Sequence, residues 1–189
     1  MKRAEIKELV AACAQERKLC RVFLSYDAEY SYYFPLIFND RLFLGAEEDD
    51  FLLDGYAIRR FRDVTKAEIK DDLCTNILKR EGVVDSIVLP DVDMTSWETI
   101  FTSLKGREKN VIVEMEGPNR AEWAFVIGRI EKVYKKLVYI RHFDADGSWQ
   151  TSPIKIPYTQ ITSVIFASRY VDTFSKYLSA LPDDFETTV

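Results

Sequence analysis

The chain has 189 residues, 47% of them hydrophobic and 13% aromatic, which is enough apolar material for one large or two small packed domains and excludes a disordered polymer. A formal net charge of −5 with well-mixed signs argues against a broad nucleic-acid-wrapping face, while leaving room for a local basic patch. The opening MKRAEIKELVAACAQERKLC lacks a signal-peptide apolar core, and no apolar run approaches the roughly 18 residues of a membrane span, so a cytoplasmic protein is expected.

In chain order, AEIKELVAACAQE predicts a helix with Ile6, Leu9, Val10 and Cys13 on one stripe. CRVFLSY reads as a short strand. SYDAEYSYYF holds five aromatics in ten residues, and alternation places Tyr30, Tyr32 and Phe34 on one inner face. That leaves Tyr26 and Tyr33 as candidate outward contacts, although Asp27 and Glu29 beside them would repel phosphate. NDRLFLG is a polar turn leading into a strand, and Asp54-Gly55 is predicted as a hairpin tip. In IRRFRD, Arg60 and Arg62 are expected to point together, with Arg59 opposite. Asp63, Glu68, Asp71 and Asp72 are at hand to neutralise them.

A helix follows, with Leu73 and Ile77 on one face. KREGVVDSIVLPDVDM is a connector whose SIVL run is expected to pack as a strand. Thr95 and Glu98 form a capping box opening a helix with Trp97, Ile100, Phe101 and Leu104 on its apolar stripe. NVIVEME and WAFVIGRI are further strands, YKKLVYI is again a polar turn leading into a strand, and Asp146-Gly147 a further hairpin tip. IKIPYTQITSVIF then supplies two strands, and Ser168 caps the closing helix RYVDTFSKYL, which ends before Pro182.

These elements repeat. Phe61 falls with Tyr158, Val64 with Ile161, Thr65 with Thr162 and Ile69 with Phe166; Leu73 and Ile77 fall with Tyr170 and Phe174. Upstream, Tyr32 falls with Trp123, Phe34 with Phe125, and Asp54-Gly55 with Asp146-Gly147. The expected organisation is an internal duplication: a helix, a small barrel and a closing helix over residues 1–80, a connector over 81–94, and the same set over 95–189. An α+β, mainly β fold of two tandem antiparallel barrels shields strand edges that a flat sheet of this size would expose.

RHFDADGSWQ has the look of a calcium loop. Counted from Asp144, however, the sixth place is Trp149 rather than glycine, and the twelfth is Lys155 rather than glutamate. A hairpin tip is the expectation. Cys13, Cys20 and Cys74 are odd in number, lack CxxC spacing and read as reduced thiols; with His142 they have no zinc-site spacing, so no metal or cofactor is expected. His142 is a lone histidine without a neighbouring nucleophile, and no phosphate loop or GxSxG elbow occurs, so no catalytic residue is assigned and the chain is not expected to be an enzyme.

GRIEKVYKKLVYI resembles the first Sm motif, and IKIPYTQITSVIF resembles the last two strands of Sm-like and SH3-like barrels, with a tight corner at Tyr158-Thr159. The RNA-contacting positions of that family fall on Tyr134, Leu137 and Val138, and its Arg-Gly pair on Pro157-Tyr158. The resemblance therefore implies the fold without the RNA pocket. LDGYAIRR and IPYTQITSVIFASRYVDTFSKYL together also resemble an uncharacterised bacterial family, which implies a shared fold and no assigned activity. The expected function is a non-catalytic interaction module that binds a protein or peptide or self-associates, partly through exposed strand edges. The alternative is RNA or single-stranded nucleic-acid binding through Arg60, Arg62, Tyr26 and Tyr33.

Overall fold

The β-branched and aromatic runs of both halves form ten antiparallel strands that share one sheet. The computed structural model describes residues 1–27, 29–107, 110–182 and 185. The first half contains α1 (Arg3–Glu16), β1 (Leu19–Leu24), β2 (Tyr30–Phe38), β3 (Leu42–Asp49), β4 (Leu52–Arg60), β5 (Val64–Lys70) and α2 (Leu73–Arg80). The second contains α3 (Trp97–Lys105), β6 (Val111–Met115), β7 (Ala124–Tyr134), β8 (Leu137–His142), β9 (Ile154–Pro157), β10 (Ser163–Phe166) and α4 (Arg169–Ser175). The fold is mainly β with four helices among the described residues, and no helix there is long and apolar enough to cross a membrane.

Strand order is β5-β1-β2-β3-β4-β10-β6-β7-β8-β9. Counted within each half, the order is the same: fifth, first, second, third, fourth. Registers agree as well. Cys20 pairs with Tyr33 and Val111 with Gly128; Tyr33 then pairs with Glu47, and Gly128 with His142. In β2 the register shifts between Pro35 and Ile37, and in β7 between Ile130 and Lys132, so Leu36 and Glu131 are bulges at corresponding places.

The expected closure into two barrels does not occur in these ladders. No ladder joins β4 to β5 or β9 to β10; β4 pairs instead with β10 of the other half, Arg59 opposite Ser163 and Ile58 opposite Val164. The edge that closure would have satisfied is thus satisfied by the neighbouring half. The connector correction is similar in kind: SIVL forms no strand, and Val88 and Leu89 are exposed while Val84, Val92 and Met94 reach the core.

Helices cover the sheet with the stripes their spacing dictates. α1 buries Ile6, Val10 and Cys13 against β2 and β5, and α3 buries Ile100, Phe101 and Leu104 against β7. The core under α3 also includes Leu42, Leu44 and Ile58 from the first half, so one apolar cluster spans both halves. The capping box of α3 sits one residue later than expected. Thr99 N donates to Ser96 Oγ at 3.2 Å, and Ser96 N donates to Thr99 Oγ1 at 3.0 Å. In α2 the buried residues are Thr75 and Leu78, while Leu73 is exposed; α4 buries Val171 and leaves Tyr170 exposed.

Two glycines are fixed by geometry. Gly55 is not a hairpin tip. The tip is Asp50-Phe51, both at positive φ, and Gly55 lies within β4 at φ +77°, where an added Cβ would meet Ala167 O at 2.5 Å. An added Cβ at Gly128 would meet Arg141 O at 2.1 Å. Gly128→Ala is therefore expected to cost more than the ~1–3 kcal/mol of ordinary overpacking, read as a lower urea midpoint; a loss below ~0.5 kcal/mol would show that β7 and β8 are not held this close.

Candidate binding cleft

The ends of several elements converge on a concavity of about 810 Å³. Its lower wall is apolar or aromatic, made by Leu42 at the start of β3, Phe61 after β4, Trp97 at the start of α3 and Tyr158 after β9. Trp97, Phe101 and Tyr158 form an internal ring series: Trp97 lies 6.2 Å from Phe101, and Phe101 stacks on Tyr158 at 5.7 Å. The Tyr158 hydroxyl donates to Tyr134 O at 2.8 Å, and burial pushes its proton affinity up. The rim carries Arg3, Arg41, Arg62, Lys135 and Lys136, all exposed, and Arg60 lies deeper. The acidic residues on it are Asp40, already paired with Lys7 at 3.3 Å, and Glu98. The first turn of α3 opens on the cleft and adds the positive end of its dipole.

Among the expected contact residues, Arg60 and Arg62 both line this cleft, and both donate to Thr159 O at 3.4 Å. They are not equivalent. Arg60 is buried and forms a short ion pair with Asp63, whereas the Arg62 side chain is 57% exposed and sits 3.8 Å from the same carboxylate. Tyr33 is not an outward contact. It is fully buried, its hydroxyl accepts from Arg59 Nε at 3.2 Å, and burial pushes its pKa up to about 12. Tyr26 is half-buried against Trp123 at 6.2 Å, and burial raises its pKa too. Tyr30 is the exposed ring of that run, with the Arg21 guanidinium 4.4 Å from its centroid.

Arg59 faces the opposite side of β4, where the two halves join. Its Nη1 lies 3.1 Å from Glu116 Oε2 and 3.3 Å from Glu114 Oε2. Thr162 Oγ1 is 3.0 Å from that Glu116 oxygen. Ser163, opposite both Arg59 and Glu114 in the ladders, is fully buried with no hydrogen-bond partner for its Oγ. Burial works against the guanidinium charge, but Tyr33, Glu114, Tyr26 and Glu116 around it hold its pKa well above the ordinary value. A second buried pair, Arg141 with Glu131 at 2.7 Å, uses the β7 bulge residue itself.

Both sheet edges are blunted. On β5 the Met1 amino group donates to Thr65 O at 3.2 Å, and Ala67 N donates to Met1 Sδ at 3.5 Å. β9 has four residues and ends in Pro157, with Pro153 just before it. The Asp144–Gly147 turn is closed by Gly147 N donating to Asp144 O at 2.9 Å, and Trp149 of that loop packs edge-on against Phe143 at 5.3 Å. Cys13 and Cys20 are buried free thiols and Cys74 is exposed. His142 Nδ1 is buried without a hydrogen-bond partner. Among the described residues no group of three His, Cys, Asp or Glu side chains is placed to hold a metal.

Family models, curated proteins and solved structures yield no match to the chain. The site therefore rests on its own chemistry. Sequence reasoning reached Arg60 and Arg62 through their local density, but missed Lys135, Lys136, Trp97 and Tyr158. Lys135-Lys136 stood in view as a turn, and the stripe reading absorbed Trp97 into the core. Nothing local in the sequence brings these distant segments together.

Proposed function

We propose that the chain is a non-catalytic interaction module whose docking surface is the cleft, and that its partner is a protein. The observation carrying this reading is a basic rim over an apolar wall on a chain of net charge −5. Docking through side chains replaces the strand addition expected from exposed edges, because Met1 and the prolines obstruct β5 and β9. The matching strand orders and the bulges at Leu36 and Glu131 support an internal duplication of an SH3-like or Sm-like unit. On this reading the two halves are joined, as a pseudo-dimer, through β4 and β10.

The nucleic-acid alternative draws on the same cations, but Tyr33 is buried and the cleft rings form one packed series, which leaves fewer separate stacking faces than successive bases of a single strand need. The test compares the wild-type chain with an Arg62→Glu/Lys135→Glu/Lys136→Glu variant as immobilised baits, with and without nuclease. All three side chains are exposed, so circular dichroism should be unchanged and Tm only slightly lowered, by the loss of the Arg62 contacts with Thr159 O and Asp63. Expected is a protein retained after nuclease and lost from the variant. Retention abolished by nuclease would replace this reading with nucleic-acid binding, and retention unaffected by the charge reversal would remove the cleft as the docking surface.

A further inference from the structure

Resting on the docking reading above, we infer that the occupant of the cleft is an acidic linear segment bearing an apolar side chain. Five exposed cations come from four separate places: Arg3 on α1, Arg41 in the β2–β3 turn, Arg62 after β4, and Lys135 and Lys136 in the β7–β8 turn. Against them stand Asp40, which is paired with Lys7 at 3.3 Å, and Glu98, two carboxylates to five cations. The excess positive charge favours carboxylates spaced along a peptide, each meeting a different arm.

Shape narrows the class further. At about 810 Å³ the concavity holds a few residues of peptide, and its half-buried Trp97 and Tyr158, backed by the buried Leu42 and Phe61, offer an apolar side chain a place out of water. A run of nucleotides needs a continuous basic track with separate rings for successive bases. Here the cations ring a concavity and the rings form one series, Trp97–Phe101–Tyr158. Arg60, tied to Asp63 and Thr159, holds the floor and is not a free cation.

Fluorescence anisotropy decides it, using the full chain and four labelled probes: a glutamate-rich peptide containing leucine and phenylalanine, the same peptide with lysine for glutamate, a glutamate-only peptide, and single-stranded RNA. Expected is saturable binding of the first at physiological salt, at least about tenfold tighter than the other peptides and weakened about tenfold or more by Arg62→Glu/Lys135→Glu/Lys136→Glu. RNA binding tighter than the first peptide, with steep salt dependence, overturns the inference. Failure of the first peptide to bind also overturns it, whereas nuclease-resistant, cleft-dependent retention of a protein would leave the docking reading standing.

Discussion

Arg59→Ala is expected to lower stability by about 3–5 kcal/mol, a large share of the roughly 5–15 kcal/mol that holds a domain of this kind together. The guanidinium is buried at the ladder joining the halves, with Glu114 and Glu116 within 3.3 Å and the Tyr33 hydroxyl on its Nε. Removing it leaves two largely buried carboxylates side by side, two residues apart on one face of the chain, with no cation beside them and a hydroxyl that loses its donor. The cost comes from stranding those charges, more than from losing the pair's own attraction. Urea unfolding followed by tryptophan fluorescence measures it. A companion variant, Arg59→Met/Glu47→Gln/Glu114→Gln/Glu116→Gln, is expected to recover at least half of the loss, because no uncompensated charge remains in the cluster. A loss under about 1 kcal/mol for Arg59→Ala would mean that water already solvates the cluster and that the seam does not depend on it.

Strand positions were legible in the sequence because alternation of apolar and polar residues is a local property. Register was not. Aligning Tyr32 with Trp123 fails because residues 116–123 make a longer connection than residues 25–29, and the ladders instead place Tyr33 with Gly128. Tyr33 was assigned to the outer face by strict alternation, yet Tyr33, Phe34 and Pro35 are all buried in succession just before the bulge at Leu36. Asp54-Gly55 has the composition of a hairpin tip. Its glycine is required instead for a positive φ beside Ala167, while the turn itself uses Asp50-Phe51, whose phenylalanine no turn preference would select. The site divides the same way. Arg60 and Arg62 are neighbours in the chain and were found; their different roles depend on Asp63 folding back onto Arg60, and the opposite wall of the cleft depends on the sheet continuing from β4 into β10.

Stability is expected to fall as pH rises from about 4.5 to about 7, opposite to the usual behaviour of carboxylates in folded proteins. Glu47 is the cause. Burial drives its pKa from an ordinary 4.5 up to about 7; Arg59 and a hydrogen bond from Tyr33 pull it down, and Glu114 and Asp54 push it further up. Burial also raises Glu116, in the same direction. In that window the folded chain binds more protons than the unfolded one, so unfolding free energy declines with pH, by on the order of 3 kcal/mol at most for Glu47 alone. Below 4.5 Glu47 is protonated in both states and imposes no penalty; above 7 it is ionised in both and the penalty is complete. Asp72 and Asp93, held low by hydrogen bonds, act oppositely but only in more acid solution, where they become protonated. A proton reaches Glu47 through a pocket of about 400 Å³ that it shares with Tyr30, Ser31, Tyr32, Glu48, Asp49 and Asp54. Glu47→Gln keeps the shape and removes the titration, so its urea midpoint should match wild type near pH 4.5, exceed it at pH 8 and lose most of the slope between. A wild-type midpoint that is flat or rising across that range would place the Glu47 carboxylate in contact with bulk water. If the slope is found, the fold is firmest when Glu47 carries a proton, because its buried carboxyl then holds no desolvated charge.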